Sequence, residues 1–255
     1  MATAAVAGNV ALLVYFKQAW WSGERADHFF FHSDWDQEFR DQDKLGHAWG
    51  GYHLTRAGVE LLDLACVSRR KAVLMSAGYA AAFQLQIEIW DGFYEAYGFS
   101  YPDIMMNTAG AALAVLHERT PRTRAVKPTI WYKPTAAWHR RDEHGGNPRA
   151  TVDYSGQSYW LSVDVDTLLP QGARRYWPGF VRLSVGHSVT DWIDPNTGAA
   201  MRAKRRILLS LDVDPEKLPG NHPAWRFTKR QLSYLHFPSP ALQLTPKVEG
   251  IAWYP

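Results

Sequence analysis

Three short patterns carry the residues able to do chemistry. The first is Asp43-Lys44-x-x-His47, the second is Gln84 followed by Glu88 and Asp91, and the third is Asp103-x-x-x-Asn107-x-x-Gly110. Spacings of three and four place such residues on one face of a helix. Carboxylates, amides, a lysine and an imidazole turned toward one core admit two readings. In the first, Asp43, Lys44, His47, Gln84, Glu88, Asp91, Asp103 and Asn107 form a buried network and satisfy one another, as buried polar groups must. In the second, they are catalytic. His47 would act as general base, oriented by Asp43, with Lys44 stabilising developing negative charge. Alternatively, His47, Glu88, Asp91 and Asp103 would bind a divalent metal, the cofactor this donor set suits. A hydrolase or transferase acting on an envelope lipid or a phosphate-linked precursor fits that chemistry. The network reading is preferred.

Helices must position these groups. Apolar residues make the first helix, over 4–20, ending in the aromatic group Tyr15, Phe16, Trp20 and Trp21, which suits a membrane surface. A connector over 22–42 follows, with His28, His32, Asp34 and Asp36 among aromatic residues. Its spacing matches no standard metal site, so a packed loop is the expectation. The second helix, 41–65, contains Gly46, Gly50, Gly51 and Gly58. Glycines inside a helix allow close approach of another backbone, here expected to be the Ala-rich third helix. That third helix spans 70–97 and is closed by Gly98, with Arg69, Arg70 and Lys71 at its start. Positive charge opposes the dipole there, so the cluster reads as the headgroup side of a lipid-facing helix. The fourth helix runs from 101 to 118 behind the capping box Ser100-Tyr101-Pro102-Asp103.

After residue 120 the pattern changes. Residues 121–150 are rich in Pro and Arg and read as a linker. Beyond them, apolar and polar residues alternate over 160–166, 180–186 and 207–214, the period of half-buried strands. The phrase Leu-Ser-x-Asp-Val-Asp occurs at 161–166 and again at 209–214. Its four Asp suit either solvated strand ends or calcium, and solvated ends are preferred. The tail, 232–255, is expected to pack in extended form. The fold expected is therefore α+β: an N-terminal four-helix bundle over 1–120, the linker, and a smaller antiparallel β region over 151–255.

Composition narrows the partners. Residues 1–120 carry a net charge of −5 and the remainder +8. The basic residues of the second part are scattered, which argues against nucleic acid. Twelve Trp and twelve Tyr in 255 residues suit cores, interfaces or a bilayer boundary. A membrane or membrane-protein assembly is the expected partner, with lipid as a further candidate. Cys66 is the only cysteine, which excludes an intramolecular disulfide and a thiolate zinc cluster. Its neighbours Leu61, Leu62, Leu64 and Val67 suggest a core position. The apolar stretch 2–16 is shorter than the roughly 20 residues that span a bilayer.

Taken in order, Asp43-Lys44-x-x-His47 with Gly51-Tyr52, Glu88-x-x-Asp91 and Asp103-x-x-x-Asn107-x-x-Gly110 resemble the pattern of VanZ-like proteins. They resemble more closely a bacterial family of predicted outer-membrane or periplasmic lipoproteins. In that family, too, a Trp-Asp-Gln-type segment, here 35–41, precedes the Asp-Lys-x-x-His element. Its larger members carry a tail phrase matched here by Tyr154, Gly156, Gln157, Tyr159, Trp160, Leu161 and Ser162. The family has no established activity, so the resemblance implies a location: the bacterial cell envelope, at the outer membrane or periplasmic face. It implies a structural or accessory protein there. No cysteine precedes the first helix, so a lipid anchor is not expected.

Overall fold

In the computed structural model, four long helices among the described residues occupy the first half of the chain. They are α1 (Ala2–Ala19), α2 (Gln42–Leu64), α3 (Arg69–Asp91) and α4 (Tyr101–Arg119). The described residues are 2–21, 23–136, 150–194 and 196–254. The chain mixes helix and sheet and separates into two compact units. One comprises Met1–Gln37, Asp43–Glu118 and Arg141–Val152, the other Glu38–Gln42, Arg119–Arg140 and Asp153–Pro255.

In the first unit, Phe16 of α1 and Trp20 just past its end pack with Trp21, Phe83, Ile87 and Tyr94. Trp21 is therefore a core residue rather than a surface anchor. Glycines bring α2 against both α3 and α4. A Cβ on Gly110 would lie 1.9 Å from the Ala48 carbonyl oxygen, and one on Gly51 would lie 2.3 Å from that of Asn107. Gly58 faces Ser76 of α3. The sequence pointed only to α3 as the partner.

Two local expectations are corrected. Helix α3 stops at Asp91, not at 97. The following residues pair with the connector instead: Phe30 N–H donates to the Gly92 carbonyl (3.1 Å) and Phe99 N–H to that of Phe30 (3.0 Å). The Phe29 ring covers Gly92 where a side chain would stand. Gly98, at φ +87°, closes this turn rather than the helix, donating its N–H to the Asp91 carbonyl. Residues β1 (Phe31–His32) and β2 (Phe99–Ser100) then form a short parallel pair. Cys66 is exposed, not core. It takes φ +59° just past α2, where Val67 N–H returns to the Leu62 carbonyl, the place a glycine usually fills.

The second unit is built on six antiparallel strands in chain order: β3 (Val126–Tyr132), β4 (Gln157–Val163), β5 (Val181–Val189), β6 (Arg205–Val213), β7 (Ser239–Gln243) and β8 (Glu249–Tyr254). Strand β3 lies inside the stretch expected to be linker. Its Pro128 is tolerated because β3 is an edge strand. Residues 137–149 of that linker lie outside the described residues. The free edge of β3 is partly covered, since Ile130 N–H donates to the Tyr234 carbonyl and His236 N–H to that of Ile130. The tail contributes two strands, β7 and β8. One sheet face buries Trp160, Leu208, Ala241 and Tyr254. Gly186 leaves room for the Trp160 ring, since a Cβ there would approach it to 2.3 Å.

Candidate functional site

Seven of the eight residues singled out above converge within the helical unit. Asp43, Lys44 and His47 come from the first two turns of α2, Gln84 and Glu88 from the last turns of α3, and Asp103 and Asn107 from the start of α4. The close approach allowed by Gly51 and Gly110 lets these short polar side chains reach one another across three helices.

Lys44 is the centre of one half. Its side chain is 1 % exposed. The ammonium donates to Asp34 and to Asp43 Oδ2 at 2.8 Å, and forms an ion pair with Asp103 Oδ1 at 2.9 Å. Burial opposes its charge, but Asp43, Asp103 and the bond to Asp34 outweigh that and hold the ammonium above the usual lysine range. Burial also raises the Asp34 carboxyl, yet bonds from Lys44 and Ser100 leave it below its ordinary value. Asp43 is pushed up to about 6, chiefly by burial and further by Asp103, with Lys44 acting against the rise.

His47 is the centre of the other half. Nδ1 lies 2.9 Å from Asn107 Oδ1 and 3.6 Å from Glu88 Oε1, while Nε2 lies 3.6 Å from Asp103 Oδ1. Burial lowers its basicity, but Asp103, Glu88 and Asp43 prevail and raise it. Glu88 is pushed up to about 8 by burial, with Asp103 and Asp91 adding to it and His47 opposing. Gln84 fastens the arrangement, its amide N–H donating to the His47 carbonyl at 3.1 Å and to Asn107 Oδ1.

Three expectations are corrected here. Asp43 does not orient His47, because its bonded oxygen is taken by Lys44; Asn107 holds the imidazole instead. Lys44 is not a free cation for developing charge, since three carboxylates already share it. Asp91 stands apart from the metal-competent groups of the site, which are His47, Glu88 and Asp103, and Asp34, Asp43 and Asp103. It accepts instead from the Trp21 indole N–H at 2.5 Å. Burial pushes Asp91 up to about 7.

The sequence reading missed Asp34, Ser100 and Trp21. Asp34 belongs to an irregular loop and has no helical spacing to flag it. The β1–β2 pair brings that loop beside α4. Ser100 was read only as a helix cap. It does cap α4, accepting from Asp103 N–H at 3.1 Å, but it also donates to Asp34 Oδ1 at 2.7 Å. The return half of the capping box is made by Glu88, whose Oε2 faces Ser100 N–H at 3.4 Å, so Asp103 is released to the site.

The second unit has its own buried charge. Arg182, 1 % exposed, donates to Asp212 Oδ2 at 2.5 Å and to the Ser233 carbonyl at 3.0 Å. The repeated Asp residues do not share an ion site. Asp164 and Asp166 pair with Lys217, and Asp212 and Asp214 face Arg182.

Residues 34–119, about a third of the chain, match the sequence model of a family described as "predicted periplasmic lipoprotein (DUF2279)". The matched span contains every residue of the polar site except Trp21. That description agrees with the expected location, the periplasmic face of the bacterial envelope. No curated protein and no solved structure matches the chain.

Proposed function

We propose that this chain is a structural or accessory protein of the bacterial envelope, seated against a membrane, whose helices act as a bundle fixed by the buried polar network. The observation that carries this reading is an inversion of polarity in the helical unit. Asp43, Lys44, Glu88, Asp103 and Asn107 are buried, while the outward face of α3 presents Leu74, Met75, Tyr79, Leu85, Ile89 and Trp90 to the exterior. Water-facing helices show the opposite pattern. At the start of that face stand Arg70 and Lys71, both exposed and in position for anionic headgroups, while Arg69 pairs with Asp63 and Glu118. The sheet carries a similar face, with Leu161, Leu183, Val185, Leu211 and Leu242 exposed. Paired charges that few water molecules reach suit a scaffold better than a turnover site, because Lys44 is saturated by its three carboxylates. Within this reading, the ordered Asp-Lys-His, Glu-Asp and Asp-Asn-Gly elements are the framework shared with VanZ-like proteins.

Among the described residues, no helix is long and apolar enough to cross a membrane. The contact proposed is therefore made by a face. Fractionation of the expressing cells tests it. The chain is expected to stay with membranes through a high-salt wash and to leave with detergent. Replacing Leu74, Met75, Leu85 and Ile89 together by Ser should move it to the salt-soluble fraction with its helical circular dichroism kept. Full release of the native chain by salt would overturn the reading.

A further inference from the structure

The two halves of the polar site differ in how they are satisfied. On the Lys44 side, one ammonium bonds Asp34 and Asp43 and pairs in charge with Asp103. On the His47 side, no lysine or arginine among the described residues pairs with Glu88. Glu88 is 1 % exposed, and its Oε1, turned toward His47, has no hydrogen-bond partner among the described residues. Neither 3.6 Å approach of His47, to Glu88 Oε1 or to Asp103 Oδ1, is a hydrogen bond. The separation of Nε2 from Asp103 Oδ1 is, however, one that two donors adopt when each stands about 2.1 Å from a shared ion. One donor atom from each of His47, Glu88 and Asp103 lies within 4.8 Å of the other two.

The surroundings orient these donors as ligands. Asn107 Oδ1 accepts from Nδ1–H of His47, which leaves the lone pair on Nε2, the nitrogen facing Asp103. A ligating histidine characteristically donates its other N–H to an oxygen of just this kind. The Ser100 N–H faces Glu88 Oε2 and so leaves Oε1 for the ion. Asp103 Oδ1 is paired in charge with Lys44 but has no hydrogen-bond partner among the described residues, so it keeps a lone pair for the ion. The His47 side chain is 23 % exposed, which gives a route in.

We propose that His47, Glu88 and Asp103 form a binding site for one divalent transition-series cation of the zinc type, with Asn107 and Ser100 as positioning residues. One imidazole and two carboxylates favour such an ion over magnesium or calcium, which take oxygen ligands alone. Asp91, bonded to Trp21, is not a ligand. The inference does not depend on where the chain resides, so it stands or falls separately from the membrane reading.

The experiment is calorimetric titration of the full-length, chelator-treated chain with Zn2+, repeated with Mg2+. Saturable binding of one Zn2+ per chain is expected, with no heat of binding for Mg2+. Glu88→Gln keeps an oxygen for Ser100 but loses the anionic ligand, and His47→Gln loses the imidazole. Each should weaken Zn2+ binding by about a hundredfold or more, since even outer-shell changes cost 10–100-fold. Asp91→Asn should bind as the parent does. If both ligand variants fail to fold, Co2+ added to the parent chain decides: visible absorption characteristic of a nitrogen- and oxygen-ligated ion, displaced by Zn2+, supports the site. No saturable binding by the folded parent chain, or binding unaltered by both variants, would overturn it. In that case His47 is an imidazolium held between two acids.

Discussion

Lys44 shows why a buried charge can be both costly and indispensable. Taking an ammonium out of water is expensive, and its attraction to carboxylates offsets this only with good geometry. Here Asp34, Asp43 and Asp103 supply that geometry from a loop, from α2 and from α4. The value of Lys44 thus lies in the segments it joins. Lys44→Met would leave the three acids facing one another with no cation among them. A loss of about 3–5 kcal/mol is expected, the range for removing one partner of a buried ion pair. A urea titration followed by helical circular dichroism measures it. A midpoint within error of the parent chain would mean that water, not Lys44, satisfies these acids. The same residue shows what sequence reading can miss. Its place beside His47 suggested a chemical role, but two of its three partners, Asp34 and Asp103, come from a loop and a helix outside α2.

At the scale of elements, the helix contacts rest on a few glycines. Gly110 of α4 sits so close to α2 that a methyl group would overlap the Ala48 carbonyl. Elsewhere in an exposed helix, Gly→Ala gains roughly 1 kcal/mol. In this contact the sign reverses. Gly110→Ala should cost about 1–3 kcal/mol, the range for overpacking, by forcing α2 and α4 apart. It should also loosen the polar site, because Asp103 and Asn107 ride on α4; thermal melting checks the first effect and hydrogen exchange at residues 43–47 the second. Periodicity made these helices legible: α1, α2 and α4 begin and end within a few residues of their expected bounds, as do β4, β5 and β6. What was not legible has a common cause. The early end of α3 at Asp91, the pairing of 31–32 with 99–100 and the arrival of Asp34 all depend on contacts between segments far apart in the chain. Strand β3 was hidden differently, since Pro128 and its basic neighbours look like linker until an edge position explains them.

At the scale of the whole molecule, the largest shifts among buried titratable groups run in opposite senses in the two units, so acid should act on them in opposite directions. In the helical unit, burial raises Asp91 from 3.8 to about 7 and Asp43 from 3.8 to about 6. The fold therefore favours their protonated forms. Their contribution to stability is full below about pH 4 and is lost as pH rises through 6 and 7. In the sheet unit, burial lowers His236 from 6.5 to about 3, with Arg182 adding to the effect, and lowers His187 to about 4, with Arg205 adding. His236 is fully buried, stacks on Trp160 at 3.7 Å and has no hydrogen-bond partner at either ring nitrogen among the described residues. Here the fold favours the neutral imidazole. That stability is full above about pH 6.5 and is lost as pH falls toward 4. Hydrogen exchange at pH 5 and pH 8, corrected for intrinsic rates, should thus show protection rising in α2–α4 and falling in β3–β8 on acidification. His236→Phe keeps the stack on Trp160 and removes the titrating group. It should abolish about half of the acid sensitivity of the sheet, His187 keeping the rest, while leaving the helices as they were. Protection that changes in the same direction in both units would show that the buried imidazoles and carboxyls do not control stability between these two pH values.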